Sequence, residues 1–177
     1  MHWFLATLAP LISAATPILR QYGIWAIIVI LFVESMGVVF APGEAVIVAA
    51  CFLAAKGVFP VWEVIPVGIL SATLGGYLAY GLGVRYGHAG LLRYGRYVWI
   101  RSEMVDKVHQ FFHRFGAPVV AVGRFIVPLR QLQGYIAGSA EMGFPVFAVW
   151  SAVGAVAWVG TWGLGTWWLA GSIHFPR

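Results

Sequence analysis

The sequence predicts an all-α integral membrane protein in which two inverted repeats are joined by an amphipathic cytoplasmic connector. Of its 177 residues, 61% are hydrophobic and only 10% are charged, whereas a soluble domain carries about 25% charged residues. Prolines break the apolar runs, and similar segments recur in the same order in both halves. A water-soluble fold of this size could not bury so much apolar surface. We therefore expect residues 1–177 to form a single membrane domain.

The N-terminal segment, residues 1–22, is apolar and contains Pro10 and Pro17. Prolines remove backbone hydrogen bonds from a helix interior and tend to kink or break it. We expect this segment to form either a first membrane crossing or an interfacial helix.

Repeat 1, residues 23–84, begins with a broken apolar stretch. Residues 24–40 have helical character, Pro42 and Gly43 then interrupt them, and residues 45–55 resume the apolar run. At 1.5 Å per residue this second arm reaches roughly 16 Å, about half of the ~30 Å hydrocarbon core. The short arm favours a re-entrant hairpin, which dips into the membrane and returns to the same face, with its tip near Pro42 and Gly43.

A complete membrane span over residues 61–84 closes repeat 1. Gly75, Ala79 and Gly83 lie four residues apart along it. Small residues at this spacing let two membrane helices approach closely, so we expect this face to pack on another helix.

Residues 85–114 form a basic connector, and basic loops stay on the cytoplasmic side of a membrane. Six of the eleven Lys and Arg residues lie there: Arg85, Arg93, Arg96, Arg101, Lys107 and Arg114. Residues 102–115 repeat apolar positions at three- and four-residue steps, which predicts an amphipathic helix on the inner membrane surface. Nucleic-acid binding is the other interpretation of a basic stretch. Because this one lies between membrane segments, we expect no nucleic-acid partner.

Repeat 2, residues 115–171, has the same order of parts. Residues 118–138 form a second broken stretch with Pro128 inside it, and residues 144–170 form a last span that is rich in Trp and Gly. The broken stretch carries too much charge for an ordinary span.

Three short matches relate the two halves. Tyr22-Gly23 corresponds to Phe115-Gly116, Phe59-Pro60 to Phe144-Pro145, and Gly81-Leu82-Gly83 to Gly163-Leu164-Gly165. Chance similarity in a low-diversity apolar sequence is the alternative. One hairpin plus one span crosses the membrane once, so a second copy must be inverted, and the two hairpins then meet near the midplane. Transporters form substrate sites from broken helices at such a repeat interface.

Four charged residues lie in the broken stretches: Glu34 and Glu44 in repeat 1, and Arg124 and Arg130 in repeat 2. Charges at membrane depth cost at least a few kcal/mol each, so they serve in ion pairing, proton handling or substrate contact. We expect both arginines to bind phosphate oxygens, which suit the planar guanidinium. We expect both acids to couple binding to protons, since a carboxyl group in apolar surroundings can hold one near neutral pH. A purely structural clasp between the hairpins is the alternative.

The helix breaks have a predicted role of their own. Pro42 with Gly43, and Pro128 in the other hairpin, leave backbone N–H and C=O groups without helical partners. Inside a membrane such groups are tolerated only beside protein or water. These breaks are therefore expected beside the substrate site.

Short motifs surround the charged residues. They are Phe32-Val33-Glu34-Ser35 with Pro42-Gly43-Glu44, then Gly123-Arg124-Phe125-Ile126-Val127-Pro128-Leu129-Arg130, then Ala137-Gly138 with Met142. Together they resemble the DedA family of membrane proteins, which are also called SNARE-associated or VTT-domain proteins. The resemblance covers roughly residues 20–170.

The resemblance implies a lipid transporter of the bacterial cytoplasmic membrane that depends on the proton gradient. Members of the family have been linked to the movement of undecaprenyl phosphate or phosphatidylethanolamine between leaflets. Family acids that are essential for activity match Glu34 and Glu44, and the essential arginines match Arg124 and Arg130.

We therefore expect a flippase for an anionic lipid phosphate, with undecaprenyl phosphate as the first candidate and phosphatidylethanolamine or another phospholipid as the alternative. An intramembrane lipid-phosphate enzyme would need a nucleophile with a base beside it, and the surroundings of Ser139 do not provide this pattern. A non-transporting scaffold would use the four charges only as a clasp. We expect no enzyme activity, cofactor or metal. The expected partners are membrane lipids and protons, and the sequence leaves a homo-oligomer open.

Overall fold

In the computed structural model of the chain, residues 2–38, 42–95, 110 and 116–172 are described. These residues form helices joined by turns, with no β-strand among them, which confirms the predicted all-α class. The helices are α1 (His2–Tyr22), α2 (Ile24–Ser35), α3 (Gly43–Ala55), α4 (Val61–Gly95), α5 (Pro118–Val122), α6 (Val127–Ser139), α7 (Phe144–Val159) and α8 (Gly165–Ser172). A 3-10 turn, Gly123–Phe125, lies between α5 and α6, and a π-helical segment, Gly160–Leu164, joins α7 to α8.

Helix α1 is continuous, although Pro10 and Pro17 lie inside it. Its 21 residues extend roughly 30 Å at 1.5 Å per residue. A helix of this length is compatible with either predicted alternative, a membrane crossing or an interfacial helix.

The first helix break begins earlier than predicted. Helix α2 ends at Ser35, several residues before the predicted end, and α3 begins at Gly43. The cause is Gly37, whose φ of 97° lies in the left-handed region and whose amide donates to the Glu34 carbonyl at 2.9 Å. A glycine in this conformation is a common end of an α-helix. Pro42 therefore directly precedes the second helix and does not stand at the centre of the break.

Helix α4 extends beyond the predicted span of residues 61–84. It continues to Gly95, with one non-helical residue, Gly87 (φ 59°, ψ −166°), and this departure kinks the helix. The predicted boundary between repeat 1 and the connector at residue 85 thus falls inside a helix. The predicted amphipathic helix over residues 102–115 lies almost entirely outside the described residues.

The second broken stretch divides beside Pro128, as predicted. Helix α5 ends at Val122, a 3-10 turn follows, and Ile126 is extended (φ −112°, ψ 112°) before α6 begins. Pro128 lies in the first turn of α6, where its missing N–H group has no helical partner to lose.

Among the described residues, two helical segments are long and apolar enough to cross a membrane, Val61–Gly87 and Phe144–Ala170, with 27 residues each. They confirm the two predicted spans as long apolar helices. Each also exposes a stripe of aliphatic side chains at helical spacing. These are Leu70, Leu74 and Leu78 on α4, and Val149, Val153 and Val156 on α7. Such stripes suit contact with lipid tails and are rare on soluble monomers.

The chain divides into two compact units, and α2 and α4 contribute residues to both. Unit 1 comprises Met1–Leu31, Ala41–Ser71 and Val159–Arg177, and unit 2 comprises Phe32–Phe40 and Ala72–Trp158.

Helix α3 is the centre of unit 1. Its residues from Ala45 to Cys51 are all buried, and α1, α8 and the π-helical segment pack on it. Gly163 of that segment lies close to its neighbours, since a Cβ atom there would lie 2.6 Å from Cδ1 of Ile65 and 3.1 Å from Sγ of Cys51. Cys51 is a packing residue in this unit.

The core of unit 2 is formed by α4, α5, α6 and α7. Its buried residues are Tyr80, Val119, Val120, Leu129, Leu132, Ile136, Ala137 and Phe147. The rings of Tyr80 and Phe147 stack with their centroids 4.8 Å apart, and the Tyr80 hydroxyl donates to the Met142 carbonyl. The Tyr77 hydroxyl donates to the Ala148 carbonyl at 3.1 Å. These contacts attach α4 to the beginning of α7 and to the turn before it.

Candidate functional site

An ion pair between Glu34 and Arg130 lies buried in unit 2. Nη2 of Arg130 donates to Oε1 of Glu34 at 2.8 Å, and the two side chains are 4% and 5% exposed. Glu34 lies in the last turn of α2, and Arg130 lies in the first turn of α6. An acid of the first broken stretch therefore forms an ion pair with an arginine of the second.

Trp158 supports this ion pair from a second direction. Its ring lies 4.9 Å from Cζ of Arg130, a cation–π geometry that is favourable by up to about 2 kcal/mol where water is excluded. Trp158 is 1% exposed. The Arg130 guanidinium is thus held by a carboxylate and an aromatic face together.

Arg124 is also buried, but its acceptors are neutral. Its Nη2 donates to the Ala72 carbonyl at 3.0 Å and to Oγ of Ser151 at 3.2 Å. Within the described ranges, no carboxylate is in ion-pair contact with Arg124. The charges of both Arg130 and Glu34 act on it. Arg124 is therefore a buried cation whose hydrogen-bond acceptors are neutral.

Glycines make room for the Arg124 side chain. A Cβ atom at Gly76 would lie 3.4 Å from Nη2 of Arg124, and one at Gly154 would lie 3.2 Å from its Cδ and 2.8 Å from Cα of Ala121. Helix α7 and the end of α5 therefore approach closely, and the guanidinium extends between α4 and α7.

Contacts beside the ion pair also attach the end of α2 to α6. The Tyr135 hydroxyl donates to the Met36 carbonyl at 2.6 Å. A Cβ atom at Gly37 would lie 3.0 Å from the Gln131 carbonyl oxygen, so the turn after Glu34 lies against α6. The segments that carry Glu34 and Arg130 are thus joined by contacts to backbone atoms as well as by the ion pair.

Helix α6 is in turn held against α4 by small residues. A Cβ atom at Gly83 would lie 2.3 Å from the Tyr135 carbonyl oxygen, and one at Gly138 would lie 2.3 Å from that of Tyr80. A Cβ atom at Gly134 would lie 2.7 Å from Cβ of Ala79. Two residues of the predicted stripe, Ala79 and Gly83, therefore form a close contact with α6 that positions Arg130. The third, Gly75, lies instead against the Phe32 carbonyl of α2.

Glu44 belongs to unit 1. It is the second residue of α3 and is partly exposed, and an acid in the first turn of a helix is favoured by the helix dipole. Pro42 and Gly43 directly precede it. The structure thus brings Glu34 together with the two arginines in unit 2, whereas the second predicted acid and the first predicted break belong to unit 1.

Sequence reasoning missed three polar side chains of this site: Gln133, Ser151 and Trp158. Gln133 is 2% exposed and Ser151 is fully buried. Serine and tryptophan are common in membrane helices and gave no signal on their own. Gln133 could have been found, because it follows Arg130 by one helical turn and therefore shares its face.

The arrangement can bind an anion. Guanidinium groups donate paired hydrogen bonds to carboxylate or phosphate oxygens, and within the described ranges Arg124 is in ion-pair contact with no carboxylate. An anionic group that reached Arg124 would balance that charge.

Comparisons with known proteins give the family. The sequence profile of the VTT domain matches residues 41–166. The chain is 31% identical over 137 residues to an uncharacterized membrane protein of Mycobacterium leprae (76% of this chain, 61% of that protein). It is 28% identical over 149 residues to the protein DedA of Escherichia coli K12 (80% and 68%). It is 32% identical over 139 residues to an uncharacterized membrane protein of Synechocystis (78% and 63%).

The chain thus spans about two thirds of the length of these relatives. No solved structure is significantly similar to it. The profile covers more than half of the chain, and it includes Glu44, Arg124 and Arg130. The chain is therefore a membrane protein of the DedA family of VTT-domain proteins.

Proposed function

We propose that this protein moves an anionic lipid phosphate between the leaflets of the bacterial cytoplasmic membrane, in a cycle that is linked to protons. Undecaprenyl phosphate is the first candidate lipid, and phosphatidylethanolamine or another phospholipid is the alternative. The protein acts as a carrier and not as an enzyme, with no cofactor.

The buried charge of Arg124, whose hydrogen-bond acceptors are neutral, is the observation that carries this proposal. A buried cation whose protein acceptors are neutral is costly in apolar surroundings. A phosphate would remove that cost by neutralising the charge and by accepting paired hydrogen bonds. Lipid is favoured over a soluble anion because the two long helices expose aliphatic stripes and because of the family resemblance.

The Glu34–Arg130 pair supplies the link to protons. While Glu34 is ionised it occupies the Arg130 guanidinium at 2.8 Å, so that only Arg124 is available to the phosphate. A proton on Glu34 removes its charge and weakens its hold on Arg130, and the phosphate then competes for both arginines. Loss of the proton restores the pair and expels the lipid headgroup. Glu44, partly exposed on α3, is the second proton carrier.

The proposed architecture is a pair of inverted repeats with re-entrant hairpins. Helices α2 and α3 have 12 and 13 residues, and each is too short for the ~30 Å hydrocarbon core. The second broken stretch is also divided into short helices, α5 and α6. In this architecture the basic residues 85–114 lie in the cytoplasm.

Transport in liposomes tests the proposal. Purified protein is reconstituted, and the movement of undecaprenyl phosphate between leaflets is measured with and without a pH gradient. We expect Arg124→Gln to lower the rate at least about tenfold, since a charged hydrogen bond contributes ~1.5–3 kcal/mol. Arg124→Lys keeps the charge and should retain part of the rate.

The matched control is Arg85→Gln, the same substitution at an exposed arginine of α4, which should leave the rate unchanged. Melting temperatures of all variants show whether each remains folded. A folded Arg124→Gln variant that transports at the full rate would contradict the proposal. The absence of lipid movement by the unaltered protein would favour the scaffold.

A further inference from the structure

Several buried polar atoms in unit 2 have no hydrogen-bond partner. Among them are two donors, Nε of Arg124 and Nε1 of Trp158, and one acceptor, Oε1 of Gln133. Buried polar groups in proteins are almost always hydrogen-bonded, because leaving one unsatisfied is costly. Unsatisfied donors beside an arginine pair match an incoming anion, but an unsatisfied acceptor does not.

The unpartnered oxygen of Gln133 lies beside the segment that carries Arg124. Oε1 would be 3.4 Å from a Cβ atom at Gly123, the residue that precedes Arg124. Gln133 also follows Arg130 by three residues in α6, so the two side chains share a helix face. At 2% exposure, this amide is buried between the two arginine-bearing segments of the site.

A phosphate oxygen that carries no hydrogen cannot satisfy Gln133. A carbonyl oxygen only accepts hydrogen bonds, and it repels an anion placed against it. A ligand that satisfied all three atoms would need two different features. One is an anionic oxygen for the donors of Arg124 and Trp158, and the other is an O–H or N–H group for Gln133.

We propose that Gln133 selects the lipid headgroup by accepting a hydrogen bond from an O–H or N–H group on or beside its phosphate. A phosphate monoester provides such a group in its singly protonated form, and phosphoethanolamine provides one in its ammonium group. Phosphocholine provides none, because its nitrogen is fully methylated. This inference rests on the proposed lipid transport and adds the class of headgroup.

Binding and transport are both measured with three lipids: phosphatidic acid as the phosphate monoester, phosphatidylethanolamine and phosphatidylcholine. Short-chain forms are added to the full-length protein in detergent, and the rise in melting temperature gives their affinities. Acyl-labelled long-chain forms report movement in liposomes. The unaltered protein should bind and move one or both of the first two lipids about tenfold better than phosphatidylcholine, the loss expected when a buried acceptor is left without its donor.

The test variant is Gln133→Met, which keeps the side-chain length and removes the carbonyl. It should reduce the preference over phosphatidylcholine to about twofold or less, because the acceptor that rejects a choline headgroup is gone. Gln131→Met is the matched control, since Gln131 is a buried glutamine of the same helix, and it should keep the preference.

Three outcomes separate this inference from the proposed function. Selective binding that depends on Gln133, without movement in liposomes, would support the inference and contradict the flippase. A folded Gln133→Met variant with the full preference would overturn the inference and leave the flippase intact. Equal binding of all three lipids by the unaltered protein would also overturn the inference, since an ordered water would then satisfy Gln133.

Discussion

At the scale of single residues, the site is a small set of buried charges. The free-energy cost of burying them is only partly offset by contacts inside the protein. Glu34 and Arg130 neutralise each other, and Trp158 covers the guanidinium. Arg124 has neutral acceptors. A buried ion pair contributes little net stability, but removing one partner leaves a buried charge that is costly. The Glu34–Arg130 pair and Arg124, whose acceptors are neutral, therefore have different consequences for stability and for binding.

A double-mutant cycle on Glu34→Gln and Arg130→Gln measures this difference. Each single substitution leaves the other charge without its partner, so we expect each to lower the free energy of unfolding by about 3 kcal/mol. The double variant should lose at least ~1 kcal/mol less than the sum of the two. Unfolding in mixed micelles, followed by helical circular dichroism, gives the three values. Losses that add within ~0.5 kcal/mol would show that the two residues do not interact.

At the scale of helices, the contact between α4 and α6 positions the arginine. Gly83 and Gly138 each bring a Cα atom against the backbone of the opposing helix, where a Cβ atom would lie 2.3 Å from a carbonyl oxygen. Without a hydrophobic driving force between helices in lipid, such close packing is a main source of helix association. Arg130, Gln133 and Tyr135 all lie on α6, so its position on α4 sets the geometry of the site.

Gly83→Ala should separate the two helices and lower the stability. The added methyl group would have to displace the backbone at Tyr135, and overpacking of this kind costs about 1–3 kcal/mol. Gly81→Ala is the control in the same helix, because a Cβ atom there meets nothing within 4 Å and alanine favours the helix by up to ~1 kcal/mol. Thermal unfolding in detergent should therefore show a lower melting temperature for Gly83→Ala and an equal or higher one for Gly81→Ala. Equal melting temperatures for the two variants would show that α6 can move away from α4 with no loss of stability.

At the scale of the whole molecule, the proposed inverted repeats assign each hairpin to one face of the membrane. Both ends of the α2–α3 hairpin should lie outside the cell, and both ends of the α5–α6 hairpin should lie in the cytoplasm. A pair of ordinary crossings would instead place the two ends of each stretch on opposite faces. The ends of each stretch therefore distinguish the two arrangements.

Single cysteines test this topology in a Cys51→Ala background. Tyr22→Cys and Lys56→Cys report the two ends of the first hairpin, and Ala117→Cys and Gly143→Cys report those of the second. A maleimide that does not cross membranes should label the first two in intact cells and the last two only after permeabilisation. Labelling of only one member of either pair in intact cells would contradict the re-entrant hairpin. Equal labelling of all four would contradict the inversion.

The helix boundaries show which features of the fold can be predicted from the local sequence. The proline at the second break and the two long spans were predicted where they occur, because each depends on a local property of the chain. The end of α2 was misjudged because the apolar run continues past Gly37, whose positive φ ends the helix. A glycine inside an apolar run is ambiguous until its backbone conformation is known.

The sequence by itself determined the membrane class, the all-α fold and the family, and it located four charges in broken apolar stretches, because charges in apolar runs are visible without any contact being known. Only the tertiary structure decided which charges meet. It paired Glu34 with Arg130, left Arg124 with neutral acceptors, and assigned Glu44 to the other unit. It also revealed Gln133, Ser151 and Trp158. The sequence does not mark such residues, because their polar atoms take part in a site only when they are buried beside suitable partners.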